Sequence, residues 1–395
     1  GLVDELTAMG AAVEAVTGRQ LDQAQAFSGL REVADRGQWP ITDFRLPVKV
    51  TSPTVQDLGT AMEQAQALLQ APITLRAGDQ TWELEPQDLA PLLRPKADGR
   101  TVRLSLDPAA LAEWLRPITA VVSRTAELPR FAFLPDQRRL TLIKSGQRGQ
   151  RLDLVATAAQ ILEVGASARL VRLPLVFEEP AVKDSATAAE LGIQEVVGQA
   201  TSRFTGSAPG RIHNVALAAS QFHGLLIPPD AVFSFNQHLG DVSEESGYKK
   251  TLIIVDGATQ DGVGGGVCQV STTLFRAAFW AGLPIVERHA HGYRVGYYEQ
   301  GAPPGFDATI FSPVVDLKLQ NDTGHWLLVA TSTNKAAATT SFILYGTAPA
   351  REVKMGPVVK GKAVPPPPPR TELDPTLAPG SAADTAGRSR DAAGR

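Results

Sequence analysis

The 395-residue sequence predicts an α+β fold: two related N-terminal α+β modules, the first truncated, then a C-terminal α+β domain and a proline-rich tail. Three observations lead there. Short stretches with apolar residues at every second position are interspersed with stretches repeating at three- and four-residue steps, the patterns of strands and helices. Gly18-Arg19-Gln20-Leu21-Asp22 returns as Gly149-Gln150-Arg151-Leu152-Asp153, and each copy leads into a helix-like stretch and a short strand with equally spaced prolines. Beyond Gly356 the chain turns to Pro365 through Pro369 and then to Ala, Gly, Asp and Arg, a polyproline linker leading to disorder. The expected boundaries are 1–70, 71–185, 186–356 and 357–395.

In chain order, Ala24 to Val33 and its counterpart Val155 to Val164 read as helices, and Leu46-Pro47-Val48 and Leu173-Pro174-Leu175 open the matching strands. Ile73 to Leu84 reads as a hairpin around Ala77-Gly78-Asp79, and Pro86 to Leu93 and Asp107 to Leu115 as short helices. Asp107-Pro108 supplies an N-cap with proline at the first helical position. Phe131 to Ile143 gives a second hairpin turning at Pro135-Asp136. The complete module thus runs from about Ala71 to Pro180, and the one near Gly1 lacks its front half, as in a fragment cut inside a repeat. Further on, Thr187 to Phe204 and Arg211 to Phe222 are expected to be helical. Phe233 to Asn236 is expected to form a strand edge and Thr251 to Val255 a buried strand. Leu283 to Tyr298 reads as extended, which puts Glu287, His289, His291 and Tyr293 on one face. Val314 to Leu319, Trp326 to Thr331 and Ser341 to Tyr345 complete a sheet.

An apolar fraction of 43% suits ordinary globular cores. The net charge of −3, with no long basic stretch, argues against nucleic acid as a partner. One cysteine excludes an internal disulfide framework and multi-cysteine zinc sites, without fixing the compartment. No apolar run reaches the roughly 18 residues of a membrane span, and the first residues lack a signal-peptide pattern. The sequence begins at glycine, so any membrane anchor is expected upstream of Gly1.

The most informative stretch is Gly264-Gly265-Gly266-Val267-Cys268-Gln269-Val270-Ser271-Thr272-Thr273-Leu274-Phe275. Val270, Leu274, Ala277, Ala278 and Ala281 recur at helical spacing, and Gly282 with Pro284 supplies the stop. Cys268 therefore sits in a first turn, where unbonded N–H groups and the helix dipole favour a thiolate. A lone cysteine is otherwise a small buried hydrophobe. A thiol nucleophile needs a base and a group to orient that base: His291 or His289 can supply the first, and Asp307, Asp316 or Asn321 the second. Two histidines two apart without a clear third ligand make a poor metal site, and no cofactor or metal is expected.

From Arg211 to Tyr345 the chain strongly resembles the VanW-like family. The pieces that carry this are Arg211-Ile212-His213-Asn214, Phe233-Ser234-Phe235-Asn236, Gly247-Tyr248, the glycine–cysteine stretch, Ala281-Gly282-Leu283, Glu287-Arg288-His289 with His291, and Gly305-Phe306-Asp307-Ala308-Thr309. Ala71 to Val182 is similar to the peptidoglycan-binding domain that precedes VanW-like regions, through signals such as Trp82-Glu83-Leu84-Glu85-Pro86. Two departures stand out: His223-Gly224 where Asn-Gly is usual, and Gly292 after His291 where serine is usual. The resemblance implies a bacterial, extracytoplasmic, wall-associated protein, with peptidoglycan as partner and membrane contact only through an upstream anchor. The resulting expectation is thiol acyl transfer on peptidoglycan stem peptides, with Cys268 as nucleophile, His291 as base and Asp307 as orienter. Gly264, Gly265, Gly266, Gln269, Asn236, Asn214, Tyr293 and His289 would bind substrate, and Asn236, Gln269 and Tyr293 would line the cleft. The alternative is a non-catalytic wall-binding or scaffold protein using the same groove.

Overall fold

The computed structural model describes residues 58–98, 101–255, 258–292, 294–359 and 361, with short pieces before residue 58. Half of the expected helix from Ala24 to Val33, Tyr293 and nearly all of the proline-rich tail lie outside the described residues. The fold is α+β, and the chain divides into two compact units, Gly1–Ala126 with Arg148–Glu179, and Glu127–Gln147 with Pro180–Arg395.

In the first unit, strand Ile73–Ala77 pairs antiparallel with Gln80–Leu84 and parallel with Leu170–Arg172. Helices Leu58–Leu69 and Leu154–Ala168 close over a core that includes Leu68, Leu75, Leu84, Leu115 and Ile161, all fully buried. Asp107 caps its helix by accepting from the N–H groups of Ala109 and Ala110, as the Asp-Pro signal predicts. The repeated motif pairs in corresponding ways. Gly149–Leu152 runs antiparallel to Leu175–Glu178, with Leu152 opposite Leu175. Gly18–Leu21 runs antiparallel to Val48–Thr51, with Leu21 opposite Val48.

The second unit opens with the hairpin β1 (Arg130–Leu134) and β2 (Arg139–Lys144), which the sequence reading placed inside the preceding module. Phe131 and Phe133 instead join a core with Leu191, Ile193, Leu226, Leu328 and Tyr345. The Phe131 N–H donates to Gly224 O at 3.1 Å. An alternating strand must bury its apolar face, but position in the chain does not say against what.

A second departure follows. Only Ala188–Leu191 of the expected helix from Thr187 to Phe204 is helical, and Glu195–Arg203 is a strand, β3. Gly198 and Ser202 point inward while Gln199, Thr201 and Arg203 are exposed, a period of two that the helix reading overlooked. The central sheet is antiparallel in the order β3, β11 (Thr339–Gly346), β10 (Leu327–Asn334) and β4 (Leu225–Ile227). A smaller sheet has the order β5 (Val232–Ser234), β9 (Lys318–Gln320) and β8 (Ile285–Glu287), so the last three expected strands divide between two sheets. Against the central sheet lie α1 (Pro209–Gln221) and α3 (Val267–Trp280), the latter buried nearly all round. The short helix α2 (Phe235–Leu239) replaces the second half of the expected strand edge. Finally β6 (Lys250–Val255) and β7 (Ala258–Val263) form a hairpin. Leu252 is 51% exposed, so β6 is not the buried strand that its β-branched composition suggested.

Candidate functional site

The glycine turn delivers the cysteine. Gly264 and Gly266 hold φ of +88° and +110°, which L side chains rarely adopt. A Cβ on Gly265 would lie 2.1 Å from Thr251 Oγ1 and 2.3 Å from Leu252 O. The turn is clamped by Asn214, whose Nδ2 donates to Lys249 O (2.9 Å) and Gly265 O (3.1 Å) while its Oδ1 accepts from Lys249 N–H (2.8 Å). Gly266 is the N-cap of α3 and provides no side-chain cap, so Cys268 is the second helical residue and its N–H has no intrahelical acceptor. Asn214 thus supports the turn, although the sequence suggested substrate contact.

The structure brings Cys268, His291 and Asp307 together. Asp307 Oδ2 bonds His291 Nδ1 and also accepts the His291 backbone N–H at 3.2 Å. This leaves Nε2 as the ring nitrogen for the hydrogen bond between His291 and the Cys268 sulfur. The sulfur also lies 3.5 Å from Thr309 Oγ1 and 3.5 Å from Ile310 O. Burial pushes the thiol up, but the hydrogen bond and charge of His291, with hydrogen bonds at Ile310 and Thr309, hold it below its ordinary value. Burial alone would lower His291, whereas its bonds to Asp307 and Cys268 raise it to about 9. Burial favours the neutral Asp307 carboxyl, yet His291 and Arg288 keep it low. All three shifts favour one state: thiolate, imidazolium and carboxylate in a row.

Other expected members go elsewhere. His289 is half exposed and pairs with Glu287 Oε1 at 3.2 Å. The two histidines do not share a face, because β8 ends at Glu287 and His289 makes only an isolated bridge to Thr309. Asp316 accepts from Ser234 Oγ (2.6 Å) and from Asn236 N–H (2.9 Å) at the start of α2. Asn321 donates to Ile227 O and Pro228 O. Asn236 Nδ2 is spent on Val315 O, and Gln269 is buried with Nε2 on Ser202 Oγ and Arg203 O. Neither lines the cleft, contrary to the sequence reading. The Gly292 departure costs no contact, since His291 is oriented by Asp307 and the space beside Gly292 is open.

Sequence reasoning missed how Asp307 is held. Gly305 O and Asp307 O accept from Arg288, Phe306 O from Arg276, and Ala308 O from Ser271 and Thr272. Four successive carbonyls are thus fixed by side chains. A signal existed, in that three of these donors lie on α3 at helical spacing from Cys268, but nothing local says what they bond. Cys268 and His291 open on a cleft of about 450 Å³, lined also by Arg211, Asp241, Leu252, the three glycines and Phe311. Among the described residues no group of three or more His, Cys, Asp or Glu side chains could hold a metal ion.

Residues 210–343 match the family model described as "VanW like protein". The chain is 40% identical over 146 residues to the "Uncharacterized protein YoaR" of Bacillus subtilis (strain 168), a match covering 37% of this chain and 46% of that one. It is 35% identical over 115 residues to the "Vancomycin B-type resistance protein VanW" of Enterococcus faecalis, covering 29% and 42%. The matched region is thus less than half of either relative. Of solved structures, the Ldtfm–avibactam carbamoyl enzyme aligns over 52% of this chain and 75% of its own at 12% identity, with a TM-score of 0.20, a superposition too loose to bear on the chemistry. Cys268, His291 and Asp307 all lie within the residues that match the VanW-like family model.

Proposed function

We propose that this is an extracytoplasmic, cell-wall-associated protein whose VanW-like domain performs thiol acyl transfer on peptidoglycan stem peptides. The observation that carries the chemistry is the Cys268–His291–Asp307 row at an open cleft, with the sulfur on a helix N-terminus. The Cys268 thiolate attacks a peptide carbonyl carbon, and the oxyanion forms beside the Cys268 N–H and the glycine turn. His291 gives its Nε2 proton to the departing amine as the C–N bond breaks, leaving a thioester on Cys268. Water or a second amine then attacks the thioester, His291 takes up the nucleophile's proton, and the C–S bond breaks to release the Cys268 thiolate. Asp307 holds the imidazole through Nδ1 in both halves. A cleft of about 450 Å³ suits a short peptide rather than a folded chain.

Likeness to a vancomycin B-type resistance protein supports the wall as the setting. The corresponding ladders at Gly18–Leu21 and Gly149–Leu152 support related N-terminal modules, which in this reading bind peptidoglycan. No helix among the described residues is long and apolar enough to cross a membrane. The test is intact-mass detection of a Cys268 thioester after mixing with stem peptides, expected in wild type and absent in Cys268→Ala. Tight binding of the peptides without adduct or turnover would replace the enzyme by a binding module.

A further inference from the structure

The structure assigns Arg288 as a positioning residue of this site: it holds the Asp307 carboxylate so that Oδ2 stays on His291. This rests on the reading above for its purpose, though not for its test. Arg288 Nε donates to Asp307 O at 2.7 Å, and one Nη donates to Gly305 O while lying 3.6 Å from Asp307 Oδ1. The guanidinium carbon lies over the Phe275 ring, 5.0 Å from its centroid, so an α3 side chain packs against it. A planar fork on two carbonyls and one carboxylate oxygen determines both the backbone and the rotamer of Asp307. A lysine, a point charge on a flexible stem, cannot do all three.

The direction of the effect separates positioning from simple charge. The charged groups facing Asp307 are His291, Arg288 and Arg276. Those facing His291 are Cys268 and Asp307, with the Tyr298 ring packed at 5.0 Å. Acting only through space, a cation near His291 would disfavour the imidazolium, and removing it would move the His291 titration upward. Acting through Asp307, Arg288 favours the imidazolium by keeping its acceptor in place, and removing it moves the titration downward.

The experiment follows the His291 ring by NMR titration on the full chain, in wild type, R288Q, R288K, D307N and the D307N/R288Q double variant. His291→Ala assigns the signal. The expected result is a downward shift of about one pH unit in R288Q, about tenfold in the protonation equilibrium, with a smaller downward shift in R288K. In the D307N background R288Q should add nothing, since the residue acts through the missing carboxylate. No shift, an upward shift, or an equal shift in the D307N background would each overturn the assignment. If R288Q does not fold, R288K carries the same readout, and its superposition on wild type counts against the proposal. Failure of the acyl-transfer reading shows separately, as a Cys268 that alkylates only at ordinary thiol pH while the histidine shifts still appear.

Discussion

In the N-terminal unit the buried core is Leu, Ile, Val and Ala, and its one buried polar side chain among the described residues, Thr157, returns its hydroxyl to Asp153 O of the preceding turn. The C-terminal unit buries Ser202, Asn214, Gln269, Ser271, Thr272, Thr273, Arg276, Asp307, Asp316, Asn321 and Thr340, and most of these bond backbone of the site or of its supports. An apolar core is stabilised by area and tolerates repacking. A buried polar group costs free energy unless its partners are in place, so a network of them is accurate or it fails. The second unit carries that burden where Cys268, His291 and Asp307 meet.

The largest test of this contrast removes the chemistry. Cys268→Ala should abolish acyl transfer. His291→Ala should slow iodoacetamide alkylation of Cys268 at pH 6 by about 10²- to 10⁴-fold. In wild type, alkylation should begin well below the ordinary thiol pKa of about 8.5. Acyl transfer should fall above pH about 9, as His291 loses the proton that it donates. A thiol that titrates normally would erase the distinction between the two cores.

Leu75→Ala, at a fully buried position of the N-terminal unit, should cost about 2–5 kcal/mol in denaturant unfolding of that unit. The alkylation rate of Cys268 should stay within about twofold, because apolar packing in the first unit does not set the thiol's electrostatics. A large change in rate would show that the two cores are not independent.

Asn214→Ala deletes three hydrogen bonds at a buried position. About 1–3 kcal/mol of stability should be lost, together with some thiol reactivity, since the glycine turn is no longer clamped. Retained reactivity in a destabilised variant would assign Asn214 to folding alone. The smallest effect is expected for Gly292→Ser. The space there is open, and alkylation rate and midpoint should match wild type within error, because the His291 ring answers to Asp307. A clear gain would mean that the neighbouring hydroxyl has a role that Asp307 does not fill.

The legible parts of the fold were those with a strong local cause. The Asp107-Pro108 cap, the Ala77-Gly78-Asp79 turn and the α3 periodicity all lie within a few residues of what determines them. β3 was misread because Ala, Gln, Glu and Val fit a helix as readily as a strand, and only pairing with β11 on one side and packing against α3 on the other selects extension. The exposed β6 shows the converse, since β-branched residues favour a strand without saying whether anything covers it.

By itself the sequence determined that a glycine turn would start a helix at Cys268, that the helix would bury Val270, Leu274, Ala277 and Ala278, and that histidines and carboxylates would follow it in the chain. Only the tertiary structure decided which histidine met the sulfur and which carboxylate met that histidine. Asp316 was drawn to the start of α2 and His289 to Glu287, while Asp307 was brought to His291 by guanidinium and hydroxyl groups gripping four successive carbonyls. The physical reason is range. A helix start is made by bonds among neighbouring residues, whereas the partners of a buried carboxylate are set by whichever donors the fold brings within about 3 Å, and these lie up to tens of residues away along the chain.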